Sequence, residues 1–502
     1  MKFARRSSLT SERLPKCKPR DLSRGERSDV DPRFIEGRAK RGVFMSNLLY
    51  PARRRSAGQV VLIGGGSSSA LTAIRLAERG FRVIVLEKAK IGNGSSSRSA
   101  AGIRAQFSVE ETVIGMQYSR WWYRQFHEVL ETPSERRQPV IRQNGYLFLY
   151  EDPEQAAPAW MPTRRREVER VWQMARANVA LQQRIGEPVE LLTPQQVHDR
   201  WPHLVPDRLI GATWGPTDGF LYPQMIYTEG FRRAQELGVT VLQDTAVIGA
   251  TLRHGNIAAL ETTKGPIEAD WFVNETNAWA ARVSRSIGGM PLPVVPLKRY
   301  LYFMKPTAPI MSSEEWHRLP MTIYGIGSGR GAHSRPDSDL LLLAWAHEAA
   351  PEPDFSDEDQ DRIDPHFNHN NGVDNYGYAL LEQVFAFSPL LAEAGGLTAT
   401  TSGFYGTTPD ANPLIGFDSN LNNLIHAVGF SGHGLMHAPI TALLVEALLT
   451  GEVEHGKVRL PEPFAEHTLD LQTFDPSRTF SQSAKNVDPA LARGERSEAM
   501  VL

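Results

Sequence analysis

The chain has one cysteine, Cys17, among 502 residues. A single thiol cannot build an intramolecular disulfide framework, and it excludes metal sites made from clustered cysteines. No apolar run approaches the roughly 20 residues that a membrane-spanning helix needs, so a transmembrane helix is excluded as well. An excess of one charge is also lacking: 55 Lys+Arg face 57 Asp+Glu, a formal net charge of −2. Without a basic excess the chain lacks the footprint of a nucleic-acid binder. The balance hides an asymmetry, because residues 1–45 carry 13 basic and 6 acidic side chains. This basic arm has no hydrophobic periodicity and is interrupted by Pro15, Pro19 and Pro32, so residues 1–56 read as disordered. It has no apolar stretch suited to a secretory signal, and its acids oppose an organellar transit peptide. A cytoplasmic location is the resulting expectation, with a start at Met45 as the alternative reading of the arm.

Order is expected to begin at Gln59. Val60-Val61-Leu62-Ile63 is a short, β-branched apolar run, as a buried parallel strand should be. Gly64-Gly65-Gly66-Ser67-Ser68-Ser69 follows, then a helix over Ala70–Arg79 and a strand over Phe81–Leu86 ending at Glu87 and Lys88. The turn matches Gly-x-Gly-x-x-Gly except at Ser69, a residue still small enough for helix–strand packing. Gly64 suits the tight turn, and Gly66 lets a pyrophosphate approach the helix N-terminus. Glu87, at a strand end, stands where an acid would hydrogen-bond a ribose hydroxyl. An ordinary tight turn is the alternative, but the flanking strand, helix and acid favour dinucleotide binding. The next stretch, Gly92 to Gly102, is too rich in small residues for a packed helix. Ser95, Ser96, Ser97, Ala101 and Gly102 would there lie along an extended ligand, which suits a flavin better than a nicotinamide cofactor.

Further along, the pattern predicts a helix over Met225–Glu236, a strand over Thr240–Gln243 and a strand edge near Val247. Ile257–Thr262 and Ile267–Val273 alternate like a hairpin turned at Lys264-Gly265. Val294–Met304 and Leu340–Trp345 read as strands of a second sheet, Leu424–Val428 as a strand and Ala438–Leu449 as a closing helix. His366, His369, Asp354, Asp357, Asp361 and Asp364 share a polar segment whose spacing fits no ordered ligand motif, so no metal is expected. Arg164-Arg165-Arg166 to Arg170, interleaved with Glu167 and Glu169, reads as a solvated helix face.

Over about residues 58–480 the sequence resembles the D-amino-acid oxidase/sarcosine oxidase-like family of FAD-dependent oxidoreductases. It is most similar to the branch holding the sarcosine oxidase β-subunit, dimethylglycine dehydrogenase and the proline dehydrogenase β-subunit. The glycine turn, Ser97 to Ser108, Asp218 to Pro223, Asn274 to Ala280, Leu292 to Arg299, Thr408 to Gly416 and Gly429 to Gly434 carry the likeness, in order. The resemblance implies an α/β fold: a Rossmann-like FAD-binding domain interleaved with a substrate domain on a mixed, largely antiparallel sheet. The FAD-binding segments are expected at 57–139, 211–290 and 396–455, and the substrate domain at 140–210 and 291–395. A C-terminal extension at 456–480 and a disordered tail at 481–502 complete the division. Besides the residues of the turn and loop, Glu87, Lys88, Val247, Asn277, Trp279, Gly403, Asp410, Gly429, Ser431, Gly432, His433, Gly434 and Leu435 are implied as cofactor-binding. Relatives with covalent flavin use a Cys or His where this chain has Gly403-Phe404-Tyr405-Gly406 and Ser99-Ala100-Ala101-Gly102, so FAD is expected to be non-covalent. Asn277 replaces a customary glycine, and Met436 stands where sarcosine oxidases offer a lysine to the substrate carboxylate.

The implied activity is oxidation of a C–N bond in a small amine or amino acid, with oxygen or another electron acceptor as oxidant. A partner subunit or a homo-oligomer is compatible with the branch. A flavin-binding scaffold with reduced or no catalysis, and a flavin-dependent hydroxy-acid dehydrogenase, are the alternatives. Arg104 is read as a carboxylate clamp or a surface ion pair, and Tyr405 as a pocket wall or a half-buried core residue. His433 is read as structural or as a general base, and Lys298 as solvated or as an electrostatic aid to oxygen.

Overall fold

Val60, Val61 and Leu62 are wholly buried in the strand Gln59–Ile63 (β1). This is the position that a continuous apolar run demands, because a central parallel strand is covered on both faces. In the computed structural model, which describes residues 58–480 except 157–161, 307–309, 327–330, 346–354, 357, 371–375 and 394, β1 lies inside a six-stranded sheet. The expected disordered arm 1–56 and tail 481–502, with Asp354 and Asp357, lie outside the described residues.

The other strands of that sheet are Arg82–Leu86 (β2), Thr240–Leu242 (β3), Trp271–Asn274 (β4), Leu414–Phe417 (β5) and Leu424–Val428 (β6), in the order β5-β6-β4-β1-β2-β3. All neighbours are parallel except β5, which runs antiparallel to β6. Between β1 and β2 lies the helix Ser67–Glu78 (α1). It packs against the helix Pro223–Glu236, where Gly230 permits close approach: a Cβ there would stand 2.9 Å from that of Ala70. The helix Gly434–Thr450 (α2) shares the same apolar core and is buried from Leu435 to Ala447, all round its circumference.

Both helices begin earlier than the apolar pattern indicates. The three serines form the first turn of α1, and α2 starts directly after His433 rather than at Ala438. Small polar residues obscured these starts, since apolar periodicity only marks where a helix enters the core. The segment Ile267–Val273, expected as one strand, is two. Gly265–Glu268 completes a hairpin with Asn256–Thr262, whereas β4 joins the parallel sheet. The change of sheet occurs at Asp270, whose Oδ2 accepts the Gln59 N–H (2.6 Å) while its own N–H donates to the Gln59 carbonyl (3.0 Å).

The second large sheet has eight strands, in the order Leu397–Thr407, Val295–Met304, Leu340–Trp345, Ala332–Asp337, Met321–Ile326, Tyr146–Glu151, Leu209–Gly215 and Glu190–Leu192. Only the pairing of Met321–Ile326 with Tyr146–Glu151 is parallel, so the sheet is mixed and largely antiparallel. Leu397–Thr407 is hydrogen-bonded along the whole of Val295–Met304. It therefore belongs to this sheet, beyond the expected boundary at 395, and Leu209–Gly215 crosses the expected boundary at 210. The far end of Leu397–Thr407 matters for the site. Its Gly406 carbonyl accepts the Ser431 N–H (2.8 Å), which carries Tyr405 to the mouth of α2.

Candidate functional site

The chain leaves β1 through Gly64 at φ +113°, a conformation open to glycine. The Gly65 N–H donates to Glu87 Oε2 (2.7 Å) and the Ala89 N–H to Glu87 Oε1 (2.8 Å), so the acid at the end of β2 is fixed by backbone donors. Helix α1 opens at Gly66 with no side-chain cap. The Ser67 N–H donates to Ser96 Oγ (3.0 Å), binding the small-residue loop to the first turn. An uncapped N-terminus combines free N–H groups with the positive end of the helix dipole, which suits an anion.

A cavity of about 250 Å³ begins at this turn. Of the residues expected from sequence, Gly64, Gly65, Gly66, Ser67, Ser68, Glu87, Lys88, Ser95, Ser96, Val247, Asn277, Trp279, Tyr405, Gly432, Gly434 and Leu435 line it. Lys88 Nζ stands 4.0 Å from the centre of the Trp279 ring. Sequence reasoning missed Asn93, Gly94, Ser99, Thr245, Ala246, Glu275, Thr276, Gln360 and Phe430, which also line the wall. Most lie inside or beside segments already singled out. Gln360 does not: it sits in the polar segment around His366 and Asp361, yet it is 3% exposed and donates to the Asn93 carbonyl (2.9 Å).

The other expected residues do not line the cavity. Ser69 is buried inside α1, and Ser97 closes a short turn onto the Gly94 carbonyl. Ala101, at φ 59°, is buried in the apolar core, and Gly102 lies under Tyr146, where a Cβ would meet the ring at 2.9 Å. Gly403 gives room to Arg98. Asp410 is an ion-pair partner of Arg478 (2.7 Å), not a ligand-facing acid. Gly429 and Ser431 form the turn beneath the lining, with Ser431 Oγ accepting the Thr408 N–H (3.1 Å).

Arg104 and His433 also leave the lining. Arg104 is 1% exposed, which removes the surface ion-pair reading. Its guanidinium lies 3.8 Å from the Phe107 ring centre, donates to the Gln106 carbonyl, and places Nη2 3.2 Å from His433 Nε2. Arginine is donor only, so His433 Nε2 must accept and the ring is neutral with its proton on Nδ1. Burial first, then the charges of Arg104 and His437, hold its pKa well below the usual imidazole range. With that lone pair engaged, His433 has no free base for substrate, and its place is at the cap of α2. Tyr405 is half-buried against Gly432, where a Cβ would meet its ring at 2.6 Å.

Two departures from the family pattern, and Lys298, acquire physical explanations. Asn277 adopts φ 45°, the left-handed conformation that glycine usually supplies, and its Oδ1 accepts the Phe430 N–H (3.2 Å). Met436 is packed in the core rather than in the cavity wall. Lys298 is neither solvated nor part of the lining: it is 6% exposed, and its ammonium donates to the Asp359 and Arg362 carbonyls. It thereby anchors the segment that delivers Gln360. In the same segment Asp361 pairs with Arg98 (2.5 Å), and His369 Nδ1 lies 2.9 Å from Thr400 Oγ1.

Residues 59–448 match the family described as FAD dependent oxidoreductase. The chain belongs to this family. Similar proteins include FAD-dependent oxidoreductase domain-containing protein 1 of Xenopus laevis, 26% identical over 463 residues, 84% of this chain and 83% of that protein. Mitochondrial dimethylglycine dehydrogenase of Rattus norvegicus is 26% identical over 459 residues, 88% of this chain, which spans only 47% of that relative. The crystal structure of L-proline dehydrogenase from P. horikoshii aligns at a TM-score of 0.65 with 28% identity, covering 85% of this chain and 98% of that one. The cofactor is FAD, and the residues present fit it: a glycine turn in which Gly64 and Gly65 leave no room for a side chain, a helix start with no side-chain cap from Gly66, and the small residues Gly94, Ser95 and Ser96 along the wall.

Proposed function

We propose that this oxidoreductase oxidises the C–N bond of a small amine or of an N-alkyl or cyclic amino acid, giving an imine. The observation that carries the reading is one cavity joining the uncapped start of α1 to the start of α2, where Tyr405, Gly432, Gly434 and Leu435 close it. Dimethylglycine and L-proline, named in two of the similar proteins, are both amino acids with an alkylated nitrogen. The flavin supplies the hydride acceptor, N5. The chain supplies the rest. Helix α2 has no side-chain cap at His433, so its first N–H groups and dipole favour negative charge at the Gly434–Leu435 end. Arg104 acts as a positioning residue, holding the His433 ring and with it the first turn of α2. Tyr405 forms the polar aromatic side of the wall.

The cofactor is held without a covalent bond, since neither cysteine nor histidine lines the described cavity. Acid precipitation should release the yellow colour into the supernatant; colour remaining with the pellet would refute non-covalent attachment. Anaerobic bleaching of the purified protein tests the reaction. Secondary amines, N-methyl amino acids or proline-like acids should reduce the flavin, whereas hydroxy acids should not. Reduction by hydroxy acids alone would replace the reading with the dehydrogenase alternative, and reduction by no panel member would favour the scaffold.

A further inference from the structure

Glu275 is an acid in an unexpected place. It follows β4 and lies beside the glycine turn: its N–H donates to the Ile63 carbonyl (2.9 Å), and a Cβ on Gly64 would touch its carbonyl oxygen. The residue lines the cavity and is 7% exposed. Oε1 accepts from Ser68 Oγ (3.1 Å) and Thr72 Oγ1 (2.8 Å), both on α1. Oε2 is buried with no hydrogen-bond partner among the described residues. The carboxyl thus shares the first turn of α1 with any phosphate bound there, and one of its oxygens is uncommitted.

Among the described residues, no cation is paired with it. The turn Ile63–Gly66 brings no charge, and α1 presents Ser67, Ser68, Ser69 and Thr72. Arg75, one turn further, is engaged by Glu446. From the end of β2 come Glu87, bonded to backbone N–H groups, and Lys88, set over Trp279. The segment after Glu275 adds Thr276 and Asn277, both uncharged. At the opposite end of the cavity His433 is neutral and outside the lining.

We infer that Glu275 is a protonation-dependent gate on FAD retention: the carboxylic acid tolerates the diphosphate, and the carboxylate opposes it. The proposal rests on reading the cavity as the dinucleotide site. Burial is the leading influence on the carboxyl and raises its pKa against the pull of the Ser69, Thr72 and Ser68 hydroxyls. The sign follows from linkage. If the neutral acid binds FAD better, the complex holds more protons than the free protein, and affinity falls as pH rises, by up to about tenfold per unit. Glu275→Gln keeps an acceptor for Ser68 and Thr72 and adds a donor in place of Oε2, with no charge at any pH.

Flavin-fluorescence titration of the full apoprotein with FAD, from about pH 5.5 to about pH 8.5, tests this. The wild type should weaken by about tenfold or more across the range. Glu275→Gln should bind within about threefold of the wild type at the acid end and stay flat. Other titrating groups are common to both proteins and cancel in the comparison. A flat wild-type profile, or equal slopes in both proteins, would overturn the inference while leaving FAD binding intact. If Glu275→Gln does not fold, a flat wild-type profile still overturns the inference, and Glu275→Ala, which also lacks the charge, replaces it in the comparison of slopes. Failure of the folded wild type to bind FAD at any pH would instead overturn the reading of the cavity.

Discussion

Gly64→Ala is expected to cost the protein its tight hold on FAD, raising Kd by about a hundredfold. Two independent costs meet at this position. A non-glycine residue at φ +113° carries strain of roughly 1–3 kcal/mol, and each 1.4 kcal/mol is a factor of ten. The new methyl would also stand 2.9 Å from the Glu275 carbonyl oxygen. That carbonyl cannot simply move aside, because the Glu275 N–H is bonded to Ile63 and its side chain to Ser68 and Thr72. Relief must come from the turn, which displaces the start of α1 from the position that receives the diphosphate. Gly66→Ala is the informative companion. Within the protein its methyl would meet only the Ser96 hydroxyl, at 3.2 Å, so the melt should be unchanged, while the methyl stands where the pyrophosphate approaches, so a loss of about tenfold in FAD affinity is expected. Fluorescence titration of the two apoproteins, with thermal melts to confirm folding, separates the cases. A Gly64→Ala protein binding FAD within threefold of the wild type would refute the argument.

The fold was legible wherever local pattern and burial coincide. The run Val60–Ile63, the glycine turn and Glu87 follow from strand and turn chemistry, and the structure assembles them beside one cavity. Leu424–Val428 was marked by apolar residues at four of its five positions, His426 being the exception, as suits a strand covered on both faces. What sequence could not show depends on partners distant in the chain. Asp270 divides one apparent strand because its N–H and its carboxylate both bond to Gln59, more than 200 residues away. Gln360 reaches the cavity because Lys298 holds its neighbours' carbonyls, and nothing in an acidic, histidine-containing loop signals that. Arg104 illustrates the limit of residue-type reasoning. An arginine after a flavin loop suits a carboxylate clamp, but its fork is turned to Gln106 and His433. At Asn277, by contrast, the residue changed while the backbone conformation expected of glycine persisted.

Arg120→Ala should destabilise the protein more than any change in the cavity wall. Arg120 Nη1 lies 2.6 Å from Asp218 Oδ1 and Nη2 lies 2.6 Å from Glu187 Oε1, and all three residues are buried. Asp218 also accepts the Ala105 N–H (2.9 Å) and Gln106 Nε2 (3.1 Å), so this ion pair ties the helix Glu110–Arg124 to the backbone around Arg104. Removing the cation strands two carboxylates in the interior, a change that costs about 3–5 kcal/mol. The loss should depend on pH with a definite sign. Burial pushes Asp218 up to about 6 even with Arg120 opposing the shift, so its protonated form is favoured by folding. Its contribution is therefore fully present below the unfolded value and fades as pH rises through about 6. Without Arg120 the folded pKa climbs further, and each additional unit costs about 1.4 kcal/mol once the pH exceeds it. Urea unfolding should consequently show a larger gap between wild type and variant at about pH 8 than at about pH 5. A gap below about 1 kcal/mol at the higher pH, typical of an exposed pair, would show that the triad carries no buried-charge penalty.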